Sequence, residues 1–306
     1  MSPALNMESR LPRRDKVFAW DMHYSCNFRC PYCFCLESGW TEMAKKSRYK
    51  SAKVLESVWK RIHGLYGRCQ LRVTAGEPFT YPGFVDVVLA VSRWHDMQIT
   101  SNCSQAEALR SLAREADPSR VELDCTFHPL HMDLEVFVEN VLLLRRAGFT
   151  ANVCCLAYPP LLDRLSGIKE RFAGAGVYMN LAVYWGAWEG RRYPFDYTPR
   201  ERDALRAIVG SDKGLELVNL DPIPIRGKVC GAGQRYAVIH ADGRVYRCGQ
   251  LCGEGQSIGD IFDEGFRLSS AALPCETEYC RCKELQSAWE EGDRDGFMER
   301  ASRARD

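Results

Sequence analysis

The cysteines of the chain fall into two groups whose spacing suits metal binding. Four lie within the stretch CNFRCPYCFC, at positions 26 to 35, and six lie between positions 230 and 282. Thiolates at such short spacings are typical ligands of zinc and of iron–sulfur clusters. The other five stand among apolar residues, where cysteine behaves as a small hydrophobe. We interpret those five as core residues: Cys69, Cys103, Cys125, Cys154 and Cys155.

Cysteine number and charge set limits on the class of protein. The chain has 15 cysteines, and an odd number argues against a disulfide framework. The first fifteen residues contain no apolar stretch, so we expect neither a signal peptide nor a membrane span there. These features predict reduced thiols and a cytoplasmic location. A net charge of +1, from 41 basic and 40 acidic side chains, predicts no nucleic-acid partner and no membrane partner.

The first cysteine group offers three thiolates on one short loop. Three residues separate Cys26 from Cys30, and two separate Cys30 from Cys33. Structural zinc sites and ferredoxin-type clusters use four protein ligands. A [4Fe–4S] cluster bound by only three thiolates would keep one iron open for another ligand. Cys35 does not fit this pattern, and we interpret it as a packing residue, with a reactive thiol as the alternative.

The elements around this loop alternate between strands and helices, which predicts an α/β fold of parallel β–α units. The six strands would form an open sheet or a curved partial barrel, with the active site beyond their carboxyl ends. The predicted strands are 17–23, 69–74, 97–100, 121–127, 151–157 and 177–184. The predicted helices begin near residues 51, 83, 105, 133, 161 and 200.

The alternation stops after residue 188, where a polar, turn-rich stretch leads into a Cys- and Gly-rich section. Asp242 and Gly243 separate two alternating apolar runs, which predicts a β-hairpin. We therefore predict an N-terminal tail (1–15), a first domain (16–210) and a small Cys-rich α+β domain (211–306).

Two motifs together resemble the radical SAM superfamily. The first is CxxxCxxC after strand one, with the aromatic Tyr32 before the third cysteine, and the second is TAGEP (74–78), which resembles the family's GGEP motif. The resemblance covers about residues 16–188 and implies a partial (β/α)6 TIM-like barrel. It implies that Cys26, Cys30 and Cys33 hold a [4Fe–4S] cluster whose open iron binds S-adenosylmethionine (SAM). Reductive cleavage of SAM then yields a 5′-deoxyadenosyl radical that abstracts a hydrogen atom.

The same resemblance implies a set of SAM-binding residues beyond the carboxyl ends of the strands. Gly76 and Glu77 would hold the SAM amino group, because a carboxylate and an ammonium form a charge-assisted hydrogen bond. Ser101 and Asn102 would contact the ribose or the carboxylate, or else cap the following helix. The predicted cofactor-binding residues are thus Tyr32, Gly76, Glu77, Ser101, Asn102 and Thr126. Candidate substrate contacts, with structural roles as the alternative, are His128, His131, Trp185, Trp188, Arg191 and Arg192.

The second cysteine group resembles the CX9–15GX4C signature of SPASM and Twitch auxiliary domains, through Cys230, Gly243 and Cys248. The few cysteines that follow suit a Twitch domain with one auxiliary [4Fe–4S] cluster. Its other two ligands would come from Cys275, Cys280 and Cys282, and we favour Cys280 with Cys282. A structural zinc site is the alternative. Cys252 is a candidate catalytic hydrogen-atom donor, with simple packing as the alternative.

These motifs leave three functional hypotheses. The first is a radical SAM enzyme that epimerises or oxidises a small polar molecule, such as an aminoglycoside, a sugar or a nucleoside, with a flavodoxin or ferredoxin as electron donor. The second is a peptide-modifying radical SAM enzyme, although only 25 residues precede Cys26 and would not form a fused leader-recognition domain. The third is an iron–sulfur or zinc protein without SAM chemistry.

Overall fold

The computed structural model describes residues 9–33, 42, 44–210 and 223–280. Six parallel strands follow one another in the order 1-2-3-4-5-6 within one sheet. They are β1 (Val17–Asp21), β2 (Gln70–Thr74), β3 (Asp96–Ser101), β4 (Val121–Phe127), β5 (Ala151–Ala157) and β6 (Met179–Val183). This arrangement confirms the predicted partial barrel.

Helices connect these strands as expected for parallel β–α units. They are α1 (Ala52–Tyr66), α2 (Phe84–Val91), α3 (Ala106–Glu115), α4 (Leu134–Arg146), α5 (Leu162–Gly174) and, after β6, α6 (Pro199–Val209). Short 3₁₀ turns span Pro78–Thr80 and Pro159–Leu161. The Ser51 and Asp133 side chains accept hydrogen bonds from the first turns of α1 and α4, so the predicted helix starts are confirmed.

The strands after β6 are short. They are β7 (Gly186–Trp188), β8 (Arg191–Tyr193), β9 (Ile223–Pro224), β10 (Val229–Cys230), β11 (Tyr236–Ile239), β12 (Arg244–Tyr246), β13 (Ser257–Asp260), β14 (Leu273–Pro274) and β15 (Tyr279–Cys280). The strands β7 and β8 form a hairpin, while β10 pairs with β14 and β9 pairs with β15, all antiparallel.

Three of these strands extend the barrel sheet. The strand β11 pairs in parallel with β1, and β12 and β13 follow in antiparallel order, giving nine strands in all. The turn between β11 and β12 contains Gly243 at φ 91°, which confirms the predicted hairpin. The attachment of this hairpin to β1 was not predicted. The boundary predicted at residue 210 adjoins residues 211–222, which lie outside the described residues, and the domain division stays a prediction.

The two faces of β1 contact different parts of the molecule. Phe18 and Trp20 pack against Trp59 of α1, with ring centroids 5.6 and 5.1 Å apart. Val17 and Ala19 point to the opposite face and pack in a separate small cluster with β11. One strand therefore joins the helical layer to the cysteine-rich section.

The amino ends of the strands carry a buried ion cluster. The Asp96 side chain is fully buried, and its carboxylate binds Arg14 at 2.6 Å and Arg120 at 3.2 Å. Such an arrangement satisfies a carboxylate that would be costly to bury alone. The chemistry-bearing residues lie at the other end of the sheet, as is usual for barrels of this kind.

None of the described helices is long and apolar enough to cross a membrane.

Candidate functional site

The loop after β1, residues 22–33, carries the first three cysteines and is called the cluster loop below. A turn closed by the hydrogen bond from Cys33 N to Cys30 O (3.0 Å) brings two of the thiols together. The Cys26 sulfur accepts a hydrogen bond from Phe28 N at 3.3 Å. Burial raises the pKa of Cys26 and, together with the neighbouring Cys33, raises that of Cys30 to about 12; Cys33 also acts to raise the pKa of Cys26. The three thiols are thus close enough to interact electrostatically.

The thiols do not converge on one point. Within the described ranges, no group of three or more His, Cys, Asp or Glu side chains is placed to hold a single metal ion. This geometry gives no support to a zinc site made of described residues. A [4Fe–4S] cluster makes a different demand, because each thiolate binds a different iron. Three thiols spread along one tight loop fit that donor set.

The cluster loop is packed directly against the GEP loop, residues 75–77, which follows β2. Glu77 N donates a hydrogen bond to Ser25 O at 2.9 Å. Gly76 has φ 55°, and a Cβ atom there would overlap the carbonyl oxygen of Ser25 and lie 3.0 Å from that of His23. Glycine is therefore required at position 76 for close approach of the two backbones. Ala75 also has a positive φ of 68°, a conformation that costs an alanine roughly 1–2 kcal/mol.

The Glu77 carboxylate is buried and joins the ends of β2 and β3. It accepts hydrogen bonds from Asn102 N (2.7 Å), Ser101 Oγ (2.9 Å) and Phe79 N (3.1 Å). Burial raises its pKa to about 7, while these three donors act in the opposite direction. The structure thus links three predicted SAM-binding residues to one another, and their contacts with SAM stay predictions.

Asn102 carries this network to the first thiol. Its side-chain nitrogen donates to Asn27 Oδ1 at 3.0 Å and lies 4.0 Å from the Cys26 sulfur. Its side-chain oxygen accepts from Ser104 N at 3.0 Å, which forms a turn before α3. The helix α3 starts after Gln105 and has no side-chain capping hydrogen bond, so the alternative that Ser101 and Asn102 cap this helix is wrong. Thr126 lies half-buried near the end of β4, in register with Cys154.

The end of β4 contacts the cluster loop through His128. The Nδ1 atom of His128 lies 3.2 Å from Tyr32 OH and 3.4 Å from the Cys30 sulfur. Its ring stacks on Tyr32 at 5.8 Å with an interplanar angle of 9°. Burial lowers the pKa of His128 to about 4, so the imidazole is neutral at neutral pH. His131 is exposed and stacks on Phe28 at 5.2 Å.

One residue of this network was not singled out from the sequence. His23 is fully buried, and its Nε2 atom lies 3.0 Å from Glu77 O. Its Nδ1 atom is buried and has no hydrogen-bond partner among the described residues. Its position at the end of the first strand is the signal that would have drawn attention to it, because that is the functional end of the sheet.

The remaining substrate candidates lie around the hairpin β7–β8. Trp188 contacts Tyr158, which in turn contacts Tyr32, with centroid distances of 5.4 and 4.9 Å. Arg191 binds Glu201 at 3.0 Å, so its charge is already paired. Trp185 contacts Phe195, while Arg192 is exposed. Trp188 is therefore connected to Tyr32 of the cluster loop by the ring of Tyr158, which contacts both.

Three cysteines of the second group share one apolar cluster. Cys230 belongs to the small cluster on the far face of β1, and Cys248 and Cys275 pack against it. Cys275 N donates to Lys228 O at 2.8 Å, which holds residue 275 beside the strand that carries Cys230. Of the three closing candidates, Cys275 is thus the one that the structure places in this cluster.

The other cysteine candidates are placed as follows. Cys280 lies in β15, paired with β9, and is not part of the cluster around Cys230. The Cys252 sulfur lies 3.1 Å from the carbonyl oxygen of Cys248. Cys35 and Cys282 lie outside the described residues. None of the described cysteines forms a disulfide.

Comparison with known proteins identifies the fold. No protein-family model and no curated protein matches the sequence. The anaerobic sulfatase-maturating enzyme anSMEcpe, with bound AdoMet and the Cp18Cys peptide, matches with a TM-score of 0.58 and 14% identity, over 81% of this chain and 77% of its own. Streptococcus suis SuiB bound to S-adenosylmethionine matches with a TM-score of 0.58 and 14% identity, over 80% of this chain. The chain spans 63% of the length of SuiB, less than two thirds.

Both are radical SAM enzymes of the SPASM or Twitch type. The chain has the radical SAM fold. Within this fold, the loop after β1 carries the CxxxCxxC motif, as the sequence predicted. The β1 edge of the radical SAM sheet also bears the hairpin β11–β12. The first cysteine group follows β1 in the chain, while Cys230 precedes the hairpin and Cys248 follows it.

The first prediction concerns the contact between the two loops. The substitution Gly76→Ala should separate the cluster loop from the GEP loop, because the new Cβ has no room beside Ser25 O. We expect a lower thermal midpoint and the loss of about four irons per chain, one cubane, after anaerobic reconstitution. Iron analysis and thermal unfolding measure both effects.

A matched control separates the clash from backbone strain. Gly83 also has a positive φ of 68°, but a Cβ there would lie 3.4 Å from its nearest neighbour, Asp86 Oδ2. The substitution Gly83→Ala should therefore cost about 1 kcal/mol of stability and leave the iron content unchanged. Equal iron content in the Gly76→Ala protein and the control would contradict the prediction.

The second prediction concerns the Glu77 carboxyl. Its folded pKa of about 7 exceeds the ordinary value of 4.5, so the folded state takes up a proton as the pH falls through 7. This proton uptake adds nothing to the free energy of unfolding well above pH 7, and it adds progressively more as the pH falls below 7. Relative to Glu77→Gln, the native protein should gain about 1 kcal/mol between pH 8.5 and pH 6.5. Denaturant unfolding at both pH values measures this difference.

The exposed Glu107 provides the control, because it is paired on the surface of α3 with Arg110. Glu107→Gln should show no change in its stability difference over the same pH range. An unchanged stability difference between native protein and Glu77→Gln over this pH range would show that the carboxyl stays ionised in the folded protein, because neither state would then take up a proton.

Proposed function

We propose that the chain is a radical SAM enzyme in which Cys26, Cys30 and Cys33 bind a [4Fe–4S] cluster. The observation that carries this proposal is the joining of the CxxxCxxC loop to the GEP loop, through Glu77 N and Ser25 O, at the carboxyl end of a radical SAM sheet. When bound, the cluster and SAM supply a 5′-deoxyadenosyl radical that removes a hydrogen atom from the substrate.

The chain's own residues hold and enclose this site. Gly76 allows the GEP loop to approach the cluster loop, and Glu77 fixes the end of β3 through Ser101 and Asn102. Asn102 then reaches the cluster loop at Asn27. On the opposite side, Tyr32 and His128 cover Cys30, which is 5% exposed. We assign these residues, with Thr126, to SAM binding and to the exclusion of water.

The second cysteine group supports an auxiliary [4Fe–4S] cluster. Cys230, Cys248 and Cys275 pack against one apolar cluster beneath β1 and β11. We now propose these three as ligands, with the fourth supplied by Cys280 or Cys282. The common packing of Cys275 with Cys230 is the reason for preferring it over the pair Cys280 and Cys282.

We propose a small polar molecule as the substrate, epimerised or oxidised, with a flavodoxin or ferredoxin as the electron donor. In the epimerase case Cys252 returns a hydrogen atom to the carbon, and its thiol is restored by one electron and one proton. The contact of this thiol with the carbonyl oxygen of Cys248, a proposed ligand, supports a position near the proposed auxiliary cluster. A peptide substrate is the second candidate, favoured by the likeness to anSMEcpe with its bound peptide.

The third prediction tests the two clusters. Reconstituted protein should hold about eight irons, at ~4 per cubane, and should cleave SAM with dithionite to methionine and 5′-deoxyadenosine. Replacing Cys26, Cys30 and Cys33 by alanine should remove about four irons and abolish cleavage, because one cubane loses its ligands. Replacing Cys230, Cys248 and Cys275 should remove the other four.

The partly buried Cys154 belongs to neither cysteine group and serves as the control. Cys154→Ala should keep both the iron content and SAM cleavage. Retention of SAM cleavage in the protein without Cys26, Cys30 and Cys33 would overturn the proposed function.

The fourth prediction separates epimerisation from oxidation. Turnover by an epimerase in D2O should place one solvent deuteron in the product, because a thiol exchanges its hydrogen with water. Cys252→Ala should then stop product formation while SAM cleavage continues. An oxidised product without deuterium would assign dehydrogenation, and unchanged product formation by Cys252→Ala would remove that residue from the reaction.

A further inference from the structure

A run of basic residues precedes and begins α1. Residues 45–53, called the basic segment below, contain five basic side chains, Lys45, Lys46, Arg48, Lys50 and Lys53, and no acidic one. The whole chain has a net charge of only +1, so this is a local concentration of positive charge. Lys45, Lys46, Arg48 and Lys53 are exposed.

The backbone of the basic segment is fixed to the rest of the molecule. Arg48 N donates to Ala241 O at 2.8 Å, and Lys50 N donates to Tyr81 OH at 2.6 Å. Tyr81 OH in turn donates to Lys50 O at 2.8 Å. The basic side chains therefore stand on an ordered stretch of chain.

Nearby acids neutralise only part of this charge. Glu42 binds Lys45 at 2.8 Å, and Asp260 binds Arg48 at 2.5 Å. Lys46, Lys50 and Lys53 have no ion pair within the described part of the chain. Arg29 lies three residues after Cys26 in the cluster loop. It is exposed and adds a further positive charge.

The basic segment lies next to the first cluster ligand. Tyr49 OH is 3.3 Å from the hydroxyl of Ser25, the residue before Cys26. An open cavity of about 440 Å³ is lined by Ser25, Cys26, Asn27, Tyr49, Thr80 and Pro82. This lining includes none of the proposed SAM-binding residues on β2, β3 and β4. The cavity thus brings the basic segment, through Tyr49, to the accessible side of Cys26.

We propose that the basic segment is the docking surface for an acidic protein that carries single electrons. This inference rests on the proposed function, in which the cluster at Cys26, Cys30 and Cys33 is reduced by such a donor. One electron would leave the donor and reduce the cluster, with no bond formed or broken in that step. Electron transfer requires close approach, and the basic segment meets the surface where Cys26 is accessible. Complementary charge also steers association between proteins.

The test compares two charge-reversal pairs in the full-length, reconstituted protein. The first is Lys46→Glu with Lys53→Glu, and the control is Arg164→Glu with Arg200→Glu. All four residues are exposed, and the control pair lies near the β5 and β6 end of the sheet. Lys53, Arg164 and Arg200 each lie in the first turn of a helix, where a glutamate is favourable.

The probe is an acidic flavodoxin, measured for binding at low ionic strength and as a reductant for SAM cleavage. The two substitutions in the basic segment should weaken flavodoxin binding about tenfold or more. At limiting flavodoxin they should slow flavodoxin-driven SAM cleavage by a similar factor. The control pair should change neither. Added salt should weaken binding to the native protein, because screening reduces charge steering.

Equal flavodoxin affinity of the native protein and the basic-segment pair would overturn the proposal, as would equal weakening by the two pairs. Cleavage driven by dithionite distinguishes this failure from failure of the proposed function. If dithionite supports no cleavage in the native protein, the proposed function fails, while the binding measurement still decides the docking surface.

Discussion

The close contact of Gly76 with the cluster loop is the constraint on which the rest of the site depends. The backbones of residues 25 and 76 approach so closely that no side chain fits between them. The hydrogen bond from Glu77 N to Ser25 O and the contact of His23 with Glu77 O also hold the cluster loop against the GEP loop. The loop after β2 thus fixes the position of the cluster loop, and with it the positions of the three thiols.

The buried Glu77 carboxylate extends this constraint to the third strand. Burying a carboxylate is costly, and the cost is offset here by donors from the β3 loop and from Phe79 N. Those donors also fix the backbone that presents Asn102 to Asn27. A residue predicted as a ligand contact therefore has a structural task as well, since it holds two strand ends at a fixed separation beneath the cluster loop.

Local patterns in the sequence were enough to predict the barrel strands, the helix starts and the loop that carries Cys26, Cys30 and Cys33. Alternating apolar runs and capping residues such as Ser51 and Asp133 act over a few residues. The parallel pairing of Val17 with Tyr236 joins residues far apart in the chain and has no local signal. The same holds for the common packing of Cys275 and Cys230, because it depends on which apolar side chains surround each thiol.

The pairing of β11 with β1 has a consequence for the proposed chemistry. Asp21 ends β1 and His240 follows β11, and their side chains meet at 3.9 Å with Tyr24 OH 3.3 Å from the same carboxylate oxygen. Arg48, which precedes α1, binds Asp260 at the end of β13, and Arg61 of α1 donates to Ile261 O at 2.6 Å, so α1 is also fixed to the edge strand of the same sheet. The cluster loop and the section with Cys230 and Cys248 are thus attached to adjacent strands of one sheet. Two clusters bound by these residues, as proposed, would therefore be attached to one continuous sheet.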